Sequence, residues 1–301
     1  MDNFGSIAAV VVTYNIGSQI ISNVKTILPH VNKIFIIDNG SNQTTIDHLK
    51  KLEKINNVKL ILNTSNLGLA KAQNIGIKHA LKENFKWVLL LDHDSYLDKN
   101  TIPCFRNYYL SLPACEREKI AILAPKVFDI NLQIVYKAII KKWKIFFKKV
   151  PCKEESIKNL LITISSGSLI KLSVVKEIGL LREDFFIDYI DVEYSLRCIS
   201  SGYQIHMVCN AIIFHKLGNR KKYRFLFLEI YPMFHPPERK FYLYRNRVIV
   251  WKNYLFKVPS FILYDILASI YNIFRILIFE EQKKDKIFNA LNGVLSGLLK
   301  Y

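Results

Sequence analysis

The chain has 301 residues, half of them hydrophobic and 23% charged, and its mean hydropathy is slightly positive. That balance suits a substantial buried core and excludes a disordered, collagenous or coiled-coil chain. Lys and Arg number 43 against 25 Asp and Glu, and the resulting +18 asks for an anionic partner: nucleic acid, a phosphorylated ligand or an acidic membrane face.

The opening Met1-Asp2-Asn3 is acidic where a secretory leader is basic, and Ile7 to Val12 is too short for a leader's apolar segment. No leader is expected. The run Ile7 to Val12 predicts instead a strand buried on both faces, closed by Thr13-Tyr14-Asn15. A helical pattern follows through Ile20, Val24, Ile27 and Leu28. A second strand, Lys33 to Ile37, ends in Asp38-Asn39-Gly40-Ser41, and a helix follows around Thr45 to Lys54. A third, Val58 to Leu62, ends at Asn63, with Asn66, Gly68 and a helix from about Ala70 to His79 beyond it. A fourth, Trp87 to Leu91, ends in Asp92-His93-Asp94.

Strand, polar loop and helix, repeated four times, predict an α/β fold of parallel βαβ units with helices on both sheet faces. Polar clusters at the carboxyl ends of the strands mark where such sheets bind ligands. No dinucleotide-binding glycine fingerprint and no P-loop is present. Past Ala114 the pattern mixes, with strands expected near Ile120 to Ala124 and Leu161 to Ser165. Between them Lys137 to Lys149, basic and aromatic, reads as a surface excursion.

The five cysteines, Cys104, Cys115, Cys152, Cys198 and Cys209, are odd in number and lack a C-x-x-C pair. Neither a disulfide framework nor a zinc site is expected, and a reducing compartment fits. Beyond His215 the chemistry changes: ten Lys/Arg stand between Lys216 and Lys252 against Glu229 and Glu238. A boundary is placed there, dividing residues 1–215 from 216–301. The apolar stretch Val258 to Phe279 is long enough to span a bilayer, but Asp265, Asn272 and Arg275 interrupt it along one side. It reads as an interfacial amphipathic helix or as a core helix.

Two acidic clusters carry chemistry. In Asp92-His93-Asp94 the carboxylates lie two apart at a strand end and point the same way, a pair able to hold a hard divalent ion that also binds a diphosphate. A solvated turn would look the same. In Phe185-Phe186-Ile187-Asp188-Tyr189-Ile190-Asp191-Val192-Glu193, Asp191 stands near a helix start, either as an N-cap or as a general base among aromatics that raise its pKa.

The order of the pieces points further. With Val11-Val12-Thr13-Tyr14-Asn15, Asp38-Asn39-Gly40-Ser41, Asn66-Leu67-Gly68-Leu69-Ala70, Asn74-Ile75-Gly76, Leu89-Leu90-Leu91-Asp92-His93-Asp94-Ser95 and Ser166-Gly167-Ser168, the sequence resembles family 2 inverting glycosyltransferases of the GT-A fold. Within that family Asp92-His93-Asp94-Ser95, Phe186 to Glu193 and Tyr242-Leu243-Tyr244-Arg245-Asn246 are most similar to the rhamnosyltransferases that use dTDP-L-rhamnose. Ile190 stands where many relatives have Glu, and His93 where glutamine or glycine is usual.

The resemblance implies a GT-A, Rossmann-like, mostly parallel sheet flanked by helices. It also implies nucleotide-sugar contacts from Thr13, Tyr14, Asn15, Asp38, Asn66, Gly68, Asn74, Asp92 and Arg245, with Asp38 reading the pyrimidine N–H. Asp94 and Asp92 would hold Mg2+ or Mn2+, with His215 as third ligand, and Asp191 would be the base. Ser166, Gly167 and Asp188 would border the acceptor.

The implied reaction moves L-rhamnose from dTDP-L-rhamnose to a lipid-linked saccharide for a surface polysaccharide. The basic C-terminal region would hold the enzyme peripherally on the anionic inner face of the cell membrane, in the cytoplasm. A UDP-hexose or UDP-galactofuranose donor is the alternative. A nucleic-acid-binding protein is not expected, because no such module is recognisable, and a non-catalytic membrane scaffold would leave the acidic constellation accidental.

Overall fold

The computed structural model describes residues 4–216, 222–225, 228–232 and 234–299. The acidic opening Met1 to Asn3 and positions 217–221, just past the expected boundary, lie outside the described residues.

Four parallel strands begin the chain: β1 (Ile7–Thr13), β2 (Lys33–Asp38), β3 (Val58–Leu62) and β4 (Trp87–Asp92). They are linked by α1 (Gln19–Ile27), α2 (Gln43–Glu53) and α3 (Leu69–Lys82), as expected. Next come β5 (Tyr96–Leu97), α4 (Thr101–Ser111), α5 (Ala114–Lys119), β6 (Ile120–Asp129) and β7 (Ile134–Val135). The hairpin β8 (Ala138–Trp143) and β9 (Phe146–Val150) precedes β10 (Ser156–Ile157), β11 (Leu169–Lys171), α6 (Leu172–Ile178), α7 (Ile190–Ser200) and β12 (Gln204–His215). The short pair β13 (Tyr223–Phe225) and β14 (Leu228–Ile230) leads to α8 (Pro237–Tyr254), α9 (Pro259–Phe279) and α10 (Lys283–Leu299).

Among the described residues ten strands form one sheet: eight follow the path β10-β12-β6-β11-β4-β1-β2-β3, while β5 pairs with β12 and β7 with β6 beside it. The chain runs outward from β1 through β2 to β3, then returns to place β4 on the other side of β1. That reversal opens a crevice at the carboxyl ends of β1 and β4, where open α/β sheets bind ligands.

The apolar strands have partners on both faces. Ala8, Val10 and Val12 join one core with Phe35, Val88 and Leu90, beneath α3, α7 and the first turns of α9. Ile7, Ala9 and Val11 join a second with Ile36, Leu89 and Leu91, beneath α1, α2 and α4. Alternation along a strand sends neighbours to opposite faces, so a continuous apolar run is what a doubly covered strand requires. Ile249, Val250, Tyr254, Phe261 and Ile262 of the C-terminal helices belong to the first core.

Two expectations are corrected. Leu161 to Ser165 is not a strand; β11 begins at Leu169, after the Ser166-Gly167 turn, and runs antiparallel between β4 and β6. Its position depends on both neighbours rather than on local pattern. The cysteines also include one pair: Cys152 is bridged to Cys209, 57 residues away, so the cysteines no longer argue for a reducing compartment. The antiparallel β10–β12 pairing, with the Cys209 N–H donating to the Glu155 carbonyl, brings the two together, and no sequence spacing announces it.

α9 is long and apolar enough to cross a membrane by length and composition, yet one side of it is buried in the protein. Its polar side faces inward: Asp265, Ser269 and Asn272 are buried. Its outward face is apolar, with Ile266, Leu267, Ile270, Tyr271, Phe274 and Leu277 exposed.

Gly76 lets α3 lie directly on β1, for a Cβ there would sit 2.4 Å from Val10 Cγ1 and 2.7 Å from its Cγ2. Gly76→Ala is expected to destabilise the fold by about 1–3 kcal/mol through overpacking, read as a lower urea midpoint at unchanged slope.

Candidate active site

Sheet register assembles the first half of the site. Thr13 pairs with Asp38 across β1–β2, and Val12 with Asp92 across β1–β4, so three of the predicted polar strand ends stand at one height. Above them opens a cleft of about 560 Å³, within the range of small-molecule sites. It is lined by Thr13, Tyr14, Asn66, Gly68, Asp92, Asp94, Ser166, Asp188, Asp191 and His215, all of them predicted from the sequence.

The long strand β12 carries His215 alongside the β4 exit. His215 Nε2 lies 3.7 Å from Asp92 Oδ2, and its Nδ1 lies 3.6 Å from Asp94 Oδ1 and bonds the Ser95 hydroxyl. One ligand atom from each of Asp92, Asp94 and His215 falls within 4.8 Å of the others. Two carboxylates and an imidazole at that spacing fit a divalent cation of the Mg2+ or Mn2+ kind. Burial raises the Asp92 pKa; the His215 ring opposes the rise and the Asp94 charge adds to it. Two close carboxylates beside a histidine are poised to gain from a cation. Ser166 anchors this edge, its hydroxyl accepting the Asp92 N–H at 3.1 Å.

Opposite stands Asp191, in the first turn of α7. It is not the N-cap; Tyr189 occupies that position, without a side-chain capping bond. The Asp191 carboxylate accepts the Val192 N–H at 2.9 Å. Burial pushes its pKa up to about 6 against that hydrogen bond, with the charges of Asp188 and Asp92 adding to the rise. A carboxylate so tuned suits general-base work near neutral pH.

The turn before α7 is unusual. Asp188 and Tyr189 both hold positive φ, 64° and 65°, a region costly to residues other than glycine. α8 holds them there. Arg239 grips the Asp188 carboxylate in bidentate fashion at 2.8 and 2.9 Å, and the Asn246 amide donates to the carbonyls of Ile187 and Asp188. The Tyr189 hydroxyl donates to Asp265 of α9 at 2.6 Å and accepts from Arg247 Nε at 2.5 Å. Arg247 also pairs with Asp265 at 3.1 Å, and Trp251 donates to the same carboxylate at 2.8 Å.

On the nucleotide side, Gly68 (φ 85°) passes so close to the same segment that a Cβ would lie 2.6 Å from Phe186 Cδ2. The Leu69 N–H donates to the Phe186 carbonyl at 2.8 Å.

Five predicted residues do not line the cleft. Asn74 is wholly buried and holds the 181–183 segment, accepting the Leu181 N–H and donating to the Leu181 carbonyl and Glu183. Arg245 donates to the Asp184 carbonyl at 2.6 Å and lies against the rings of Phe241 and Tyr242. Asp38 is buried and accepts from the Thr13 hydroxyl and the N–H groups of Gly40 and Ser41, so most of its acceptor capacity goes to shaping its own loop. Asn15 ties its loop to Ser41 and Asn42, and Gly167 packs beneath, toward Pro125 and Ile213.

Among the other lining residues, Asn39, Lys216, His235 and Arg239 were not singled out as site residues. Asn39 organises the Asn66 loop, donating to Asn66 and accepting the Leu67 N–H. The only sequence signal for Arg239 was its place in the basic run after His215.

Residues 8–178 match the family described as Glycosyl transferase family 2. The chain is 29% identical over 298 residues to the dTDP-rhamnosyl transferase RfbF of Shigella flexneri, covering 97% of this chain and 94% of that one. It is 25% identical over 254 residues to the galactofuranosyltransferase GlfT1 of Mycobacterium tuberculosis, covering 80% and 81%. The fold is similar to that of the mannosyltransferase PcManGT from Pyrobaculum calidifontis in complex with GDP-Man and Mn2+. The TM-score is 0.59 at 12% identity, over 99% of this chain and 76% of that one.

Asp265→Ala leaves the Arg247 guanidinium buried without its carboxylate, and is expected to cost about 3–5 kcal/mol in urea unfolding.

Proposed function

The chain belongs to glycosyl transferase family 2, and on that premise we propose that it transfers L-rhamnose from dTDP-L-rhamnose to a lipid-linked saccharide by single displacement with inversion. One observation carries the chemistry: Asp191, its pKa raised to about 6, faces the same cleft as Asp92, Asp94 and His215. The similarity to RfbF along nearly the whole chain supports the donor.

In this reading Asp191 takes the proton of the acceptor hydroxyl as its oxygen attacks the anomeric carbon from the face opposite the diphosphate. The bond to the diphosphate oxygen breaks and dTDP leaves, so a β-linked donor yields an α-L-rhamnoside. Thr13, Tyr14, Asn66 and Gly68 line the nucleotide side, while Ser166 and Asp188 border the acceptor. Lys216 and Arg239 bring positive charge to a cleft that must hold a diphosphate. Asp92, Asp94 and His215 would hold Mg2+ or Mn2+, which supplies Lewis-acid stabilisation of the departing diphosphate.

Residues 216–301 hold the enzyme on the anionic cytoplasmic leaflet. The outward apolar face of α9 supports this, whereas Lys240, Arg245 and Arg247 of the basic run are buried in the protein. A second reading, the same chemistry with UDP-galactofuranose, is favoured by the similarity to GlfT1.

The test is nucleoside diphosphate release from a panel of nucleotide sugars with Mg2+ or Mn2+ and an acceptor-containing lipid extract. The proposal expects dTDP release from dTDP-L-rhamnose, lost with EDTA or His215→Ala. Asp191→Asn is expected to lower turnover by about 10²–10⁴-fold. Release only from a UDP-sugar would sink the rhamnose assignment and leave the mechanism standing.

Asp191 acts as a base only when ionised, so the rate is expected to rise with pH to a plateau, half-maximal near pH 6. A pH-independent rate between 5 and 8 would contradict its role.

A further inference from the structure

We propose that the β8–β9 hairpin inserts its tip into the headgroup region of an anionic bilayer, beside α9. This rests on the reading that residues 216–301 meet such a surface and adds a second, separate contact to it. The hairpin forms its own two-stranded sheet, and nothing in the proposed reaction uses it.

Its tip carries large apolar side chains that stand open to water. Trp143 is 64% exposed, Ile145 47% and Phe146 48%. Trp143 and Phe146 pair across the strands with their rings nearly parallel, 6.4 Å apart. Six lysines accompany them, Lys137, Lys141, Lys142, Lys144, Lys148 and Lys149, and no acidic residue occurs between Ile130 and Cys152. All six lysines are exposed.

Aromatic residues at the apex with lysines on both flanks match an anionic membrane interface. Rings enter the headgroup layer, and flexible ammonium groups reach the phosphates around them. Protein interfaces, by contrast, are depleted in lysine.

The hairpin is also placed for this role. Phe147 packs edge-on against Tyr264 of α9 at 5.2 Å, and Lys149 lies 5.5 Å from the same ring. Ile266, Leu267 and Ile270, exposed on α9, follow within two turns of Tyr264. An isolated hairpin is marginal in water, and this one is braced by the helix whose outward face has the same apolar chemistry.

Trp143 provides its own probe, because Trp87 is buried and Trp251 is bonded to Asp265. The experiment mixes the full chain with vesicles of phosphatidylcholine, with or without phosphatidylglycerol. Flotation is measured together with tryptophan emission and quenching by brominated lipid. Expected are flotation with anionic vesicles, a shift of emission to shorter wavelength, and quenching, the last two absent in Trp143→Phe. Replacing Lys141, Lys142, Lys148 and Lys149 with alanine is expected to lower partition about fivefold for each lysine removed, with the thermal unfolding midpoint unchanged.

Flotation with unshifted, unquenched emission would overturn the hairpin proposal and leave the C-terminal contact standing. No flotation with either vesicle would overturn both. An emission shift that tracks protein concentration without vesicles, with a dimer in sedimentation velocity, would assign the tip to a second copy of the chain. Salt-sensitive retention on RNA or DNA with no flotation would assign it to nucleic acid.

Discussion

The rest of the site depends on one constraint, the grip of α8 and α9 on the turn before α7. Asp188 and Tyr189 sit in a backbone region that costs a non-glycine residue roughly 1–3 kcal/mol. They stay there because each side chain has a charged partner on a C-terminal helix: Arg239 for Asp188, and Asp265 with Arg247 for Tyr189. Buried ion pairs are a poor source of net stability, since desolvation offsets most of the attraction. What this one supplies is position, and the carboxylate of Asp191 is set two residues further on.

That constraint ties together parts of the chain that composition separates. The sheet provides Asp92, Asp94 and His215, while the C-terminal helices hold the opposite wall in place. The helix that carries Asp265 inward presents Ile266 and Leu267 outward on the next two residues. One face of α9 therefore braces the turn before Asp191, and the other is the apolar surface proposed to meet lipid. The site and the surface proposed to meet lipid are two sides of one packed layer.

Much of this was legible in the residues. The unbroken apolar run Ile7 to Val12 predicted a doubly covered strand, because only a strand with helices on both faces can bury every side chain. Asp92 and Asp94 were legible as a pair because alternation along an extended segment is local geometry. Asp191 was found by its motif, although the alternative of an N-cap was excluded only by seeing Tyr189 in that position. Asn74 and Arg245 were equally prominent in sequence, and both turned out to hold neighbouring backbone away from the cleft.

The sequence by itself determined the sheet's parallel half, its polar carboxyl edge and the identity of the acidic groups there, because periodicity and strand-end chemistry act over a few residues. Tertiary structure alone decided that Arg239 rather than Arg245 faces the cleft, that Cys152 meets Cys209, and that α9 turns its polar side inward. Each of those outcomes depends on partners tens of residues away. Only the close packing of α8 and α9 against the sheet fixes which side of each side chain meets water, protein or ligand.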